Sequence, residues 1–223
     1  MCLLSVVIPT MNEAESVGRV LDELHRSLEG IDHEVLIVDT DSHDRTREIA
    51  AERGARVISE SRRGYGRAYK TGFSEARGEY ILTMDADCTY PIDAVMPMLE
   101  RIQEGDLDFI SGNRFADLRE GSMRLLHRFG NRLLTLSANI LFRVGLRDSQ
   151  SGMWLFRRDC LEKLDLRSDG MPFSEEIKIE AHLHLRFLEI PISYHPRVGD
   201  VKLLSWQDGF GNLTYLWKKR LGL

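Results

Sequence analysis

The chain has 223 residues, of which 43% are hydrophobic and 29% charged, with a formal net charge of −5. That size accommodates one large domain or two small ones, the composition is ordinary for a globular protein, and the acidic balance speaks against general nucleic-acid affinity. Cys2, Cys88 and Cys160 make no disulfide framework, and no apolar run nears the ~20 residues that span a bilayer; with no leader ahead of the first strand, a cytoplasmic protein is expected.

In chain order, Leu3-Leu4-Ser5-Val6-Val7-Ile8 is a β-favouring run stopped by Pro9. A helix is predicted from about Glu13, with Val17, Leu21, Leu24 and Leu28 at helical spacing and Asn12 with Glu15 as its cap. Glu34-Val35-Leu36-Ile37-Val38 reads as a second strand ending at Asp39; Asp44 caps a helix to about Arg53, Gly54 closes it, and Arg56-Val57-Ile58 is a third strand. A helix over 67–76 leads to the strand Tyr80-Ile81-Leu82-Thr83-Met84, which runs into Asp85-Ala86-Asp87-Cys88. After Pro91 a helix to about Glu104 returns to Phe109-Ile110-Ser111. Apolar strands alternating with amphipathic helices predict an α/β, Rossmann-like doubly wound fold, a mostly parallel sheet with helices on both faces. Beyond Arg114 the rhythm changes to a helix over 125–142, the polar turn Asp148-Ser149-Gln150-Ser151-Gly152, a short strand over 153–156, a helix over 174–187 and a strand over 188–194. No repeat or linker divides the chain, so one domain over 1–204 is expected, followed by an amphipathic tail over 205–223.

Two carboxylates one residue apart at a strand end cannot both face a core, and stranding both costs several kcal/mol unless a cation or firm donors meet them. In a parallel sheet all strand C-termini open onto one edge, so Asp39, Asp85 and Asp87 are expected to share a crevice where the Asp pair can hold a divalent ion against a diphosphate. Asp-x-Asp alone is equally a turn former or a helix cap. Between these acids lies Arg62-Arg63-Gly64-Tyr65-Gly66-Arg67, whose Gly64 and Gly66 suit close backbone approach to phosphate, although a solvated turn explains such a loop about as often.

Taken together, Ser5-Val6-Val7-Ile8-Pro9-Thr10-Met11-Asn12-Glu13, Asp39 with Ser42, Asp44 and Thr46, the Arg63-Gly64-x-Gly66 loop and Asp85-x-Asp87 resemble a family 2 glycosyltransferase of the GT-A fold. Ser111-Gly112-Asn113-Arg114, Asp148-Ser149-Gln150-Ser151-Gly152 and His195-Pro196-Arg197-Val198-Gly199 with Lys202-Leu203 are similar to its dolichol-phosphate mannosyltransferase branch. The resemblance covers residues 3 to about 205. It implies that Pro9, Thr10, Asn12 and Glu13 lie along the nucleoside, that Asp39 is near the base or ribose, and that Asp85 and Asp87 hold Mg²⁺ or Mn²⁺. Asp41, Gly64, Gly66 and Ser151, within the same motifs, would line the substrate. Arg114, Arg128 and Arg197, with Lys202, would grip the phosphates of donor and lipid acceptor. Two departures concern donor identity: Asp39-Thr40-Asp41-Ser42 where much of the family has Asp-Asp-Gly-Ser, and Thr89-Tyr90-Pro91 where the mannosyltransferases commonly have Gln followed by His-Pro.

The implied activity is inverting transfer of a hexose, mannose from GDP-mannose first among them, from a nucleotide diphosphate to a polyprenyl or dolichyl phosphate. The alternative is a UDP-sugar donor with a carbohydrate acceptor, which would require an acid such as Glu176 or Asp148 as general base. The chemistry also follows from charge: a phosphate acceptor is already ionised near neutral pH, so the protein's task is to bring two anions together, and arginine offers paired planar donors for that. A sugar-nucleotide-forming nucleotidyltransferase would be expected to carry a glycine-rich basic loop after the first strand, where this chain has Pro9-Thr10-Met11-Asn12-Glu13.

Blander readings suffice elsewhere. His182 and His184 fall on different faces of one helix, Glu175 and Glu176 suit its N-terminus, and Cys88 has no base beside it. In the tail, Trp206, Phe210, Leu213 and Trp217 recur at roughly helical spacing ahead of Lys218-Lys219-Arg220, a pattern that suits either a peripheral membrane contact or packing on the domain.

Overall fold

A computed structural model describes residues 2–199 and 205–222, the side chains of 205–208 excepted. Seven strands, β1 (Leu4–Thr10), β2 (His33–Asp39), β3 (Arg56–Ser59), β4 (Tyr80–Thr83), β5 (Phe109–Leu118), β6 (Trp154–Arg157) and β7 (Phe187–Tyr194), form one sheet in the order β3-β2-β1-β4-β6-β5-β7. The helices are α1 (Val17–Ser27), α2 (Thr46–Glu52), α3 (Tyr65–Glu75), α4 (Val95–Gln103), α5 (Leu125–Phe142), α6 (Phe173–His184) and α7 (Ser205–Leu221). All pairings are parallel except those of β6, which runs against both β4 and β5. The expected α/β architecture is therefore observed, with one reversed strand.

The strand pleat divides the apolar residues between two faces. Leu4, Val6, Ile8, Val35, Ile37, Leu82 and Leu155 meet α1 and α4 on one side. Val7, Leu36, Val38, Ile81, Trp154 and Phe156 meet α3 and α6 on the other, where Tyr69, Phe73 and Phe173 form an aromatic cluster. Burial on both faces explains why these strands read as continuous apolar runs.

Three local expectations change. α1 begins at Val17, because residues 11–16 are spent on a loop; Asn12 adopts φ 55° and accepts from the His43 amide through Oδ1, so it ties loops together and does not cap the helix. Asp44 sits just outside α2 and accepts from the Thr46 amide at 3.0 Å. β5 continues past Arg114 to Leu118, with an irregularity against β7 between Asn113 and Asp117.

α7 packs against α5, with Leu216 completing a small cluster of Ala138, Val144, Leu146 and Ile179. Its inward side also carries Asn212, Tyr215 and Lys219. Phe210 and Trp217 of the expected apolar stripe face solvent; the side chain of Trp206 lies outside the described residues.

Helix α3 approaches the sheet closely at Gly72, where a methyl group would sit 2.3 Å from Val7 Cγ1. Gly72→Ala is expected to destabilise the protein by about 1–3 kcal/mol through overpacking. Urea unfolding checks this, and Val7→Ala in the same chain, which removes the clashing methyl, should recover part of the loss.

Candidate active site

The chain leaves β1 toward β2 on one side and returns through β3 to β4 on the other, so the C-terminal ends of β1 and β4 flank a topological switch point, where open α/β sheets bind ligands. The loop after β1 supplies Asn12 and Glu13 and the loop after β4 supplies Asp85 and Asp87.

The first loop is stitched to the one after β2. The Asn12 amide donates to Ser42 Oγ and the Glu13 amide to Thr46 Oγ1, both at 2.8 Å, while the Ala14 amide donates to Asp44. Asp39 ends β2 opposite Thr10 and is wholly buried. It accepts from Thr10 Oγ1 at 2.9 Å, from the Ser42 amide at 3.0 Å and from Ser42 Oγ, with Arg47 Nε 3.6 Å away. The expectation that Asp39 opens onto a shared crevice is thus corrected: it lies on the right edge of the sheet, but its carboxylate is satisfied inside its own turn. Asn12 and Asp41 (both φ 55°) are exposed there, as are His43 and Asp44, and Pro9 is half-buried within β1.

After β4, Ala86 is buried in the core and so turns its two acidic neighbours toward the edge. Asp87 Oδ1 accepts from the amide and hydroxyl of Thr89 at 3.1 and 2.6 Å, a turn made possible by Cys88 at φ 63°. Asp87 Oδ2 lies 3.1 Å from Arg197 Nη1, and Arg197 Nη2 donates to Glu13 Oε1 at 2.7 Å. Asp85 stands among Tyr65, Tyr90, Tyr194 and Gly152, whose missing methyl leaves 3.7 Å to Asp85 Oδ1. Burial, and then the neighbouring Asp87 charge, push the Asp85 carboxyl up to about 7 despite Arg197 and Arg114.

Arg114 has another partner than the phosphates expected of it. It is nearly inaccessible and grips fully buried Asp148 in a fork, Nε to Oδ2 at 2.8 Å and Nη2 to Oδ1 at 2.9 Å, with its guanidinium 5.2 Å from the Tyr194 ring centre. Burial raises the Asp148 carboxyl, but the Arg114 charge and hydrogen bonds outweigh it and hold it down at about 2. Asp148 is a structural anion and no candidate base. Its backbone carbonyl accepts from Lys178, a fully buried ammonium that burial brings down to about 8.

Gly64 and Gly66 are also explained differently. A side chain at either would strike the 168–170 segment, at 2.2 Å from the Asp169 carbonyl for Gly64 (φ 147°) and 2.5 Å from the Ser168 carbonyl for Gly66. The loop is glycine-bearing because a neighbouring loop packs onto it. Ser151 is fully buried, and its carbonyl accepts from Trp154 Nε1 at 2.7 Å. Arg128, on α5, has an Nε shielded from solvent with no hydrogen-bond partner, as does Arg197. Lys202 lies outside the described residues.

Sequence reasoning missed the surroundings of several residues. Glu175 and Glu176 do not merely face a helix dipole: both are fully buried. Glu176 accepts from the Arg167 and Ser168 amides, Tyr215 and Lys219; Glu175 accepts from Gln150 at 2.9 Å and is driven well above the carboxylate range by burial. The tyrosines around Asp85 left only a faint signal, the Tyr65/Tyr69 pair one helical turn apart. His182 and His184 do diverge, toward Gly145 and Glu180.

Comparison with known proteins matches this architecture. The Glycosyl transferase family 2 description fits residues 5–165, and the chain belongs to that family. It is 41% identical over 218 residues to the low-salt glycan biosynthesis hexosyltransferase Agl6 of Haloferax volcanii, covering 96% of this chain and 52% of that protein. The chain therefore spans about half the length of that relative. A dolichyl-phosphate hexose transferase of the same organism is 34% identical over 207 residues, covering 92% of this chain and 89% of the relative. Glucosyl-3-phosphoglycerate synthase from Mycobacterium tuberculosis, solved with Mn²⁺, UDP and glucosyl-3-phosphoglycerate, superposes with a TM-score of 0.76 at 19% identity over 99% of this chain and 80% of that one; the shared fold is GT-A.

Asp148→Asn should cost about 3–5 kcal/mol by leaving the Arg114 charge buried and unpaired. Because the folded-state value of Asp148, about 2, lies below the ordinary ~3.9, its contribution is complete above pH ~4 and is lost as pH falls toward 2. Urea unfolding across pH 2–6 should show that acid loss in the wild type and a shallower one in the variant.

Proposed function

We propose that this protein moves a hexose, with inversion, from a nucleotide diphosphate to a polyprenyl phosphate, with GDP-mannose the first candidate donor. The observation that carries the reading is the pairing of opposite needs at one sheet edge. Asp85 and Asp87 are forced together with more negative charge than their surroundings neutralise, beside Arg197, which still has an unspent, shielded N–H. A metal–diphosphate complex answers both needs. The similarity to a dolichyl-phosphate hexose transferase supports a lipid-phosphate acceptor.

Asp85 and Asp87 would hold Mg²⁺ or Mn²⁺. Among the described residues no group of three or more His, Cys, Asp or Glu makes a protein cage, which suits a hard ion that takes its remaining ligands from diphosphate oxygens and water. When bound, the ion would supply neutralisation of the departing diphosphate. Asn12, Asp41, Pro9 and Thr10 border the space for the nucleoside, while Asp39, Gly64, Gly66 and Ser151 shape its walls from behind. Arg128 and Arg197 offer donors to phosphate oxygens; Arg114, fixed by Asp148, contributes field at Asp85 and supports Tyr194. An ionised phosphate oxygen attacks the anomeric carbon as the sugar–diphosphate bond breaks, so no protein base is needed, in keeping with the locked state of Asp148 and the satisfied Glu176.

Helix α5 fits a lipid substrate. Leu125, Leu126, Phe129, Leu133, Leu136 and Ile140 are exposed on it, and Phe210 and Trp217 are exposed on α7, which packs against α5. Arg132, Lys218 and Arg220 are exposed on the same two helices and Arg124 just ahead of α5, whereas Lys219 turns inward to Glu176 and Glu180. Apolar and aromatic groups flanked by cations match the interface of an anionic bilayer. No helix among the described residues is long and apolar enough to cross one.

Transfer of radiolabelled hexose from GDP- and UDP-sugars to a short polyprenyl phosphate tests the activity. Asp87→Asn is expected to lower kcat/KM by about 10²-fold or more, and retention of configuration in the product would sink the direct displacement. For the membrane face, Phe129→Asp with Ile140→Asp should abolish flotation with phosphatidylglycerol vesicles while leaving the far-UV circular dichroism intact. Unchanged flotation removes α5 from the membrane contact.

A further inference from the structure

Both carboxylate oxygens of Asp87 are engaged in the state observed. Its Oδ1 is spent on the amide and hydroxyl of Thr89, and its Oδ2 faces Arg197 Nη1 at 3.1 Å. The same guanidinium reaches Glu13 Oε1 at 2.7 Å, tying together acids from the loops after β1 and β4. The contact is built into the backbone. Residues 195–199 leave β7 and lie across the acidic loop, with the His195 amide donating to the Thr89 carbonyl and the Val198 amide to the Asp87 carbonyl, both at 3.0 Å. Asp87 and Glu13 are nearly inaccessible, whereas the Arg197 side chain keeps 26% of its exposure and so has room to move. The other arginine near Asp85 cannot substitute for it, because Arg114 is locked in its fork with Asp148.

We infer that Arg197 is a resident counter-cation that occupies the Asp87 coordination oxygen until a metal–diphosphate complex arrives, and then transfers its donors to that complex's phosphate oxygens. Two positive charges cannot share one carboxylate oxygen in a shielded site without strong repulsion. A bare divalent ion must displace Arg197 and leave it unpaired, whereas an ion arriving with a diphosphate brings the anion that re-pairs it. Arg197 thereby couples metal affinity to nucleotide binding, and part of the acid pair's charge stays compensated between turnovers. This inference rests on the metal–diphosphate reading of the site.

The test is Mn²⁺ binding, followed by calorimetry and by the EPR signal of free Mn²⁺, for the full chain and for Arg197→Gln, each with Mn²⁺ alone and with saturating GDP or UDP. The variant is expected to bind bare Mn²⁺ at least about fivefold tighter than the wild type, the low end of ordinary coupling between sites. The nucleotide should then raise Mn²⁺ affinity strongly in the wild type and weakly in the variant. Arg197→Lys, which keeps the charge but cannot bridge both acids, should fall between the two and serves if the Gln variant does not fold. Equal or weaker bare-Mn²⁺ binding in the variants, with nucleotide-dependent binding retained, overturns the counter-cation role alone. No Mn²⁺ binding in any protein, even with GDP or UDP, overturns the metal–diphosphate reading and this inference with it.

Discussion

The repulsion between Asp85 and Asp87 organises everything built around the sheet edge. Ala86 is pinned in the core, so the chain has no way to turn one acid inward, and the backbone of β4 delivers both to the same place. Burial first, and the Asp87 charge second, raise the Asp85 carboxyl to about 7. The fold answers with donors from three directions: Thr89 within the same loop, Arg197 from the far end of the chain, and the field of Arg114 from β5.

Behind this edge lies a second charged centre with a different purpose. Arg114, Asp148 and Lys178 are all buried, and their mutual contacts hold together β5, the 148–152 turn and α6. Gln150 extends that centre, bonding Glu175 of α6 and Asn212 of α7. Buried ion pairs contribute little net stability compared with apolar packing, yet they are intolerant of losing one partner and so specify geometry. Here they position Gly152, and with it the wall against which Asp85 and Tyr90 rest.

The last helix divides its residues between an inward and an outward face. Asn212, Tyr215, Leu216 and Lys219 turn toward the domain and, among them, reach Gln150, Glu176 and Glu180, while Phe210 and Trp217 remain exposed. One face of the helix packs on the domain and the other is exposed, since helix periodicity separates residues 212, 216 and 219 from residues 210 and 217.

The order and type of the elements were legible from periodicity alone, because every strand buried on both faces must be an apolar run and every covering helix must repeat at 3.6 residues. Glycosyl transferase family 2 membership and the Asp85/Asp87 pair were legible for the same kind of reason: they are local in sequence. What the sequence did not contain is which polar partner each charged residue would find. Arg114 and Asp148 are 34 positions apart and Arg197 and Glu13 are 184 apart, so their pairings exist only once β5, β7 and the loop after β1 are brought to one edge. For the same reason the burial of Asp39 within its own turn, the loop packed over Gly64 and Gly66, and the buried network around Glu176 could not be read from their local motifs. Burial and the identity of a charge's neighbour are properties of the packed chain, and only tertiary structure decides them.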